Sequence, residues 1–269
     1  VSASIGQKFT QLGKGTIILN EDFKAGPFMS DFSSWGPTND LRIKPEITAH
    51  GGEITSAVVG GYKQYSGTSM ASPNMAGAVT LLRQHVAENY GLTGVALATR
   101  VNQLLMSTAT IVYDENGLPY AVRKQGAGLG DIGKAIATDA YLYVENSTKS
   151  KIELGDDPAK KGVYTMHFHV KNTSDKQKTY NLDAFAMTES VSIDNITVEE
   201  KAYMLENAQK SFFVDGKPVR EVTLESGADV EITLTLSLSA REKAYLDANF
   251  ENGMYVEGFV TLDDMGEGV

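Results

Sequence analysis

The chain has 269 residues, 42% of them apolar and 22% charged, which suits a real core in one large domain or two ordinary ones. With 24 Lys and Arg against 34 Asp and Glu, the formal charge of −10 argues against nucleic acid or an anionic membrane surface as partner, since both demand basic patches. Cysteine is absent, which removes disulfides and thiolate metal sites, and no apolar run reaches the ~18 residues that cross a bilayer.

In chain order, residues 1–22 (VSASIGQKFTQLGKGTIILNED) read as ordinary folded sequence rather than a leader, so the chain is expected to be part of something longer. Residues 32–38 (FSSWGPT) and 41–57 (LRIKPEITAHGGEITSA) then lead into a predicted helix. That helix starts at Ser69 and stops near Gly91, a residue suited to a C-terminal cap. A second helix, ALATRVNQLLMST, places Val101, Leu104, Leu105 and Thr108 on one face. After RKQGAGLGDIGKAI at residues 123–136, the pattern passes from helix straight into strand near Tyr141, so the two parts are expected to pack together.

From there period-two alternation takes over. Tyr164, Met166, Phe168 and Val170 alternate with Thr165, His167 and His169, and Val230, Ile232, Leu234, Leu236 and Leu238 repeat the pattern. Turn clusters such as NTSDKQ, VDGKP and ESGAD separate the runs, so residues 141–269 read as an antiparallel sandwich with SAREKAYLDANF as a helical interruption.

The stretch YSGTSMASPNMAGAVTLL, residues 65–82, carries the chemistry. A helix start has unpaired N–H groups and the positive end of the dipole, and both favour negative charge. Pro73 is expected to cost little near that end, and Gly67 allows a tight chain approach before it. Ala71, Ala76, Gly77 and Ala78 are expected to let the helix bury itself against neighbours. The design holds the Ser69 hydroxyl on a rigid element beside backbone donors for an oxyanion, which is one way to build a nucleophile. A serine at a helix start is by itself only a cap.

The eleven residues GTSMASPNMAG (67–77) tip that balance, because they resemble the nucleophile signature of the subtilisin-like serine proteases. The segments at 32–57 and 123–136 are similar to those that flank this serine in the same family, in the same order. The closest likeness is to the large cell-envelope subtilases of Gram-positive bacteria, the lactocepin and C5a-peptidase types, where a fibronectin-III-like sandwich follows the catalytic domain. The resemblance implies an α/β fold, a partial subtilisin-like parallel-sheet domain, followed by an all-β antiparallel sandwich. Its implied divisions are 1–22 as the tail of a protease-associated insert domain, 23–140 as the C-terminal portion of the catalytic domain, and 141–269 as the Fn3-like sandwich. It implies Ser69 as catalytic nucleophile, a polypeptide substrate, and a secreted or cell-envelope location.

The family usually has His where this chain has Asn74, and Pro where it has His50; neither is a triad position. In that family the triad Asp and His and the oxyanion Asn precede the serine, so they are expected upstream of this chain, whose partner is then the upstream part of the catalytic domain. Of the four histidines, His50 lies 19 positions before Ser69 in a presumed turn, His167 and His169 belong to the sandwich, and none fits the base. His85 lies on the same helix as Ser69, roughly 24 Å along it at 1.5 Å per residue. Loss of the general base in subtilisin costs on the order of 10⁶ in rate, so the chain alone is expected to be inactive.

GAGLGDIG lacks the flanking pattern of a dinucleotide loop and is read as structural. His167 and His169 share a strand face without a third ligand, and DENG and LGDDP read as ordinary turns, so no metal or cofactor is assigned. Structural calcium is left to the parent protein. Ser33 and Ser34 read as loop residues and Trp35 as a packing residue near the domain edge. A second reading from another class is a degenerate or processed surface scaffold or adhesion module.

Overall fold

The computed structural model describes residues 26–192 and 198–265, so the expectation for residues 1–22 lies outside it. Residues 26–53 are largely irregular and lead into a hairpin of β1 (Ile54–Val58) and β2 (Gly61–Tyr65), closed by Val59 and Gly60. Its side chains are mostly solvent-facing; Tyr62 is 78% exposed.

Helix α1 (Thr68–Tyr90) ends as expected on Gly91, whose left-handed φ of 63° lets its N–H reach the Ala87 carbonyl. Helix α2 (Gly94–Ser107) buries Leu97, Val101, Leu104 and Leu105, an i, i+4, i+7, i+8 stripe. Short helices α3 (Val122–Gln125) and α4 (Ile132–Ala137) follow. The stripe packs on Leu82 and Val86 of α1 and Ala135 of α4. Thr48 pairs parallel with Leu129, which pairs antiparallel with Thr110; that bridge is the parallel component of this half among the described residues.

Two expectations about α1 change. Pro73 is the sixth helical residue, two past Ala71, whose N–H reaches the N-cap carbonyl, so it removes a bond that would otherwise reach the Ser69 carbonyl. The small residues divide: Ala71, against Gly51, and Ala78 are half-buried, whereas Ala76 and Gly77 are exposed, and Leu81 is 59% exposed on the same helix.

The remainder is two antiparallel sheets. β3 (Ala140–Tyr143), β4 (Val163–Asn172), β7 (Gln209–Val214), β8 (Lys217–Val219) and β10 (Asp229–Ser237) form one, in the order β3-β4-β10-β7-β8. The other is β11-β5-β6, from β5 (Lys178–Val191), β6 (Val198–Met204) and β11 (Glu257–Asp264), with β9 (Glu221–Leu224) also pairing β5. The alternation read from the sequence is the register observed: Ile232 faces Phe168 and Leu234 faces Met166, and Phe168, Val170, Ile232 and Leu234 are buried with Leu182, Ala184, Phe212 and Leu224. Helix α5 (Ala240–Asn249) interrupts the strands, started by a Ser239–Glu242 capping box.

The two halves share a core and two ionic clusters. Tyr141 of β3 is buried among the α1 and α2 side chains, under the Arg100 guanidinium at 4.4 Å. Glu46 sits among three lysines: Lys44 at 2.5 Å, Lys149, and Lys151 at 3.5 Å. Lys151 also donates to the Ile43 carbonyl at 2.7 Å, and Glu153 accepts from the Ile43 N–H at 3.1 Å. The second cluster reverses the polarity: Arg123 stands between Glu189 and Glu257.

A candidate nucleophile at a helix start

Position 67 sets the geometry. Its backbone lies at φ 150°, ψ 164°, a region that L side chains avoid, which explains a glycine here. The Gly67 N–H donates to the Gly51 carbonyl at 2.8 Å, and the Gly67 carbonyl accepts from Met70 (3.0 Å) and Ala71 (3.3 Å). Gly51 is packed so closely that a Cβ there would stand 2.8 Å from the Gly67 oxygen. At the base of the hairpin the Glu53 N–H donates to the Ser66 hydroxyl at 2.8 Å. The turn that delivers Ser69 is thus fastened on both sides.

Ser69 is the second residue of α1 and its side chain is exposed. The N–H groups of Thr68 and Ser69 precede the helical ladder, so they remain available to an anion at the dipole's positive end. No acidic side chain occupies the first turn to compete for them. An acyl oxygen next to the Ser69 hydroxyl would therefore meet a backbone donor.

Among the described residues, no base is hydrogen-bonded to the Ser69 hydroxyl; each histidine is placed elsewhere. His50 is exposed beside the Gly51 turn. His85 shares a 3.2 Å contact with Asn89 and meets Tyr90 edge-on at 6.4 Å. His167 lies 3.3 Å from Glu231 and 3.2 Å from Thr233. His169 stacks on Tyr143 at 4.6 Å and lies 3.2 Å from Asp229, whose other oxygen accepts from the Tyr143 hydroxyl at 2.9 Å. Burial first, then the Asp229 bond, pushes the Tyr143 hydroxyl well above the usual tyrosine range. The described residues bring no metal-binding cluster of His, Asp and Glu together.

The glycine run is structural. Ala127 N–H donates to the Glu46 carbonyl (3.0 Å), Thr48 N–H to the Gly128 carbonyl (2.8 Å), and Gly130 N–H to the Thr48 carbonyl (2.9 Å). Backbone comes close to backbone here rather than to a phosphate. Ser33 reaches the Lys124 carbonyl at 3.5 Å, and Trp35 packs against Arg123 and Lys124, with its ring centre 5.6 Å and 5.2 Å from their cationic groups.

Sequence reasoning missed both ionic clusters. Arg123 pairs across 66 and 134 positions, so no local pattern marks it. Glu46 is held ionised down to a pKa of about 2; burial opposes this, and the bonds from Lys149 and Lys44 override it. Burial dominates at Glu189 and Glu257 and raises both, against the lowering effect of Arg123.

Residues 22–128 match the subtilase family model, and residues 152–268 match an Fn3-like domain. A C5a peptidase of Streptococcus pyogenes serotype M3 is 32% identical over 268 residues, covering 97% of this chain and 22% of the relative. A PII-type proteinase of Lacticaseibacillus paracasei is 31% identical over 265 residues, and a PI-type proteinase of Lactococcus lactis subsp. cremoris 30%; each covers 92% of this chain and 13% of the relative. The chain thus spans about a fifth or less of the relatives it matches. No described helix is long and apolar enough to cross a membrane.

Proposed function

Given a chain that joins a subtilase-family segment to an Fn3-like domain, we propose that Ser69 is the nucleophile of a serine endopeptidase acting on polypeptides. The observation that carries this is an exposed hydroxyl at the second residue of a helix whose start is held by Gly67 and Gly51. Ser69 attacks the peptide carbonyl as a base takes its proton, its own N–H steadies the oxyanion, and the amine leaves carrying that proton as the acyl-enzyme forms. The base, its orienting carboxylate and the second oxyanion donor come from the upstream part of the catalytic domain. The chain alone is inactive on this reading, because a serine hydroxyl without a base is a weak nucleophile.

Tyr62, Leu81 and Val95 (74% exposed) are apolar side chains that the upstream part of the catalytic domain would cover. We assign residues 23–140 to the catalytic domain, 141–269 to the sandwich and 1–22 to an inserted domain. The relatives named C5a peptidase and PI- and PII-type proteinase come from streptococci and lactic-acid bacteria, which supports a secreted or cell-envelope location on a Gram-positive cell.

A fluorophosphonate probe tests the assignment. It labels Ser69 in the full-length parent and not in this chain alone; labelling of the parent that survives Ser69→Ala ends the assignment. A second reading, a degenerate surface scaffold, draws on Asn74 and His50 at positions where the family usually has His and Pro. It predicts no label in the parent and ligand binding by residues 141–269.

A further inference from the structure

The Arg123 cluster does more than fill the junction. The guanidinium is only 12% exposed, and the carboxylates facing it, Glu189 and Glu257, are 8% and 11% exposed. Glu257 engages Arg123 twice: one oxygen accepts from Nε at 3.1 Å, the other from the backbone N–H at 3.0 Å. Glu189 accepts from Nη2. The rings of Tyr255 (4.3 Å) and Trp35 (5.6 Å) flank the guanidinium. This is a socket fitted to a planar, forked cation rather than to a point charge.

The sandwich side of the socket is itself braced. A register shift in β5 between Glu189 and Ser190 alters the pairing where Glu189 stands. The Tyr245 hydroxyl of α5 donates to the Glu189 carbonyl at 3.0 Å, and the Thr188 hydroxyl donates to the Tyr255 carbonyl at 2.8 Å.

From Arg123 an unbroken run of close backbone contacts leads to the nucleophile. The Arg123 carbonyl accepts from the Gly36 N–H at 2.8 Å, which fixes the loop carrying Trp35. Three residues on, the 126–130 turn pairs with residues 46–48, and two residues beyond Ala49 the Gly51 carbonyl holds the Gly67 N–H at the helix start. The Gly130 backbone also lies against Met75 of α1; a Cβ there would stand 2.7 Å from the Met75 methyl. These are packed, hydrogen-bonded elements with little freedom to yield separately.

We infer that Arg123 is a positioning residue through which the sandwich sets the placement of the Ser69 helix start. The inference rests on Ser69 being the nucleophile. It makes the Fn3-like domain part of the catalytic machinery's frame rather than a spacer. Removing the guanidinium leaves two carboxylates buried together without a cation, and the socket opens. Lys at this position restores charge without the fork or the ring stacking, so it rescues in part.

The test compares full-length parent with Arg123→Ala, Arg123→Lys and Glu257→Gln. Two quantities are read: the first-order acylation rate at saturating fluorophosphonate, and amide hydrogen exchange in peptides spanning residues 46–51 and 65–72. Arg123→Ala lowers the rate per labelled site at least tenfold, Arg123→Lys restores part of it, and exchange at both peptides rises. Should Arg123→Ala fail to fold, Glu257→Gln shows the same direction at about threefold or more. A rate per site and an exchange pattern equal to wild type in a folded variant overturn the inference. If wild-type Ser69 does not label, the nucleophile reading is what has failed, and the exchange data alone decide whether the junction reaches the helix start.

Discussion

The helix start that carries Ser69 was legible in the sequence because its signals are local: Gly67 and the first helical residues lie within one short run. What the run did not reveal is the partner that fixes it, Gly51, whose carbonyl holds the Gly67 N–H at 2.8 Å. Gly67 is the residue on which the placement turns. Its φ of 150° strains any residue with a Cβ, even though a Cβ there would meet nothing closer than the Ser69 nitrogen at 3.8 Å. Gly67→Ala in the parent is expected to slow Ser69 acylation about tenfold, the equivalent of ~1.4 kcal/mol, read by probe kinetics against wild type. Arg123, by contrast, stands in the sequence only as the first residue of the 123–136 motif. Its carboxylate partners are brought in by β5 and β11, and nothing near position 123 announces them.

At the scale of elements, periodicity served well where a face is buried in this chain. The α2 stripe and the β4 and β10 alternations appear in the core as read. It misled where a face has no cover here, as on α1, where Ala76 and Gly77 are exposed. The β1–β2 hairpin is absent from the sequence reading, although its two-residue turn, Val59 and Gly60, has a glycine at the position with φ 85°. The 126–130 turn was read as structural, and its close approach gives that a physical basis. Gly126 has φ 65°, and a Cβ there would stand 2.3 Å from the Glu46 carbonyl carbon. Gly126→Ala is therefore expected to destabilise the fold by on the order of 3 kcal/mol, from backbone strain and overpacking together. Urea denaturation of the variant beside wild type measures this; a loss under half a kcal/mol would show that the turn yields.

Taken whole, the molecule couples its halves through Tyr141 and through two ionic clusters of opposite polarity, and these respond to acid in opposite senses. Glu46 has a folded-state pKa of about 2 against 4.5 for the free group, so its stabilisation is present above 4.5 and is lost as pH falls toward 2. Glu189 and Glu257 are raised in the folded state, so their contribution is present at acid pH and lost as pH rises through the raised values. Glu46→Gln is accordingly expected to flatten the loss of stability between about pH 4.5 and pH 2, measured as thermal midpoints across that window. An unchanged acid limb would mean that the lysines around Glu46 do not favour its charged form.

The central claim is that the position-69 oxygen accepts an acyl group when the rest of the catalytic domain is present. Mass-spectrometric mapping of a fluorophosphonate adduct on the proteolytically active parent addresses it most directly. The account predicts one adduct, on the peptide containing Ser69, and none after heat denaturation. An active parent whose adduct falls on a different serine would contradict it.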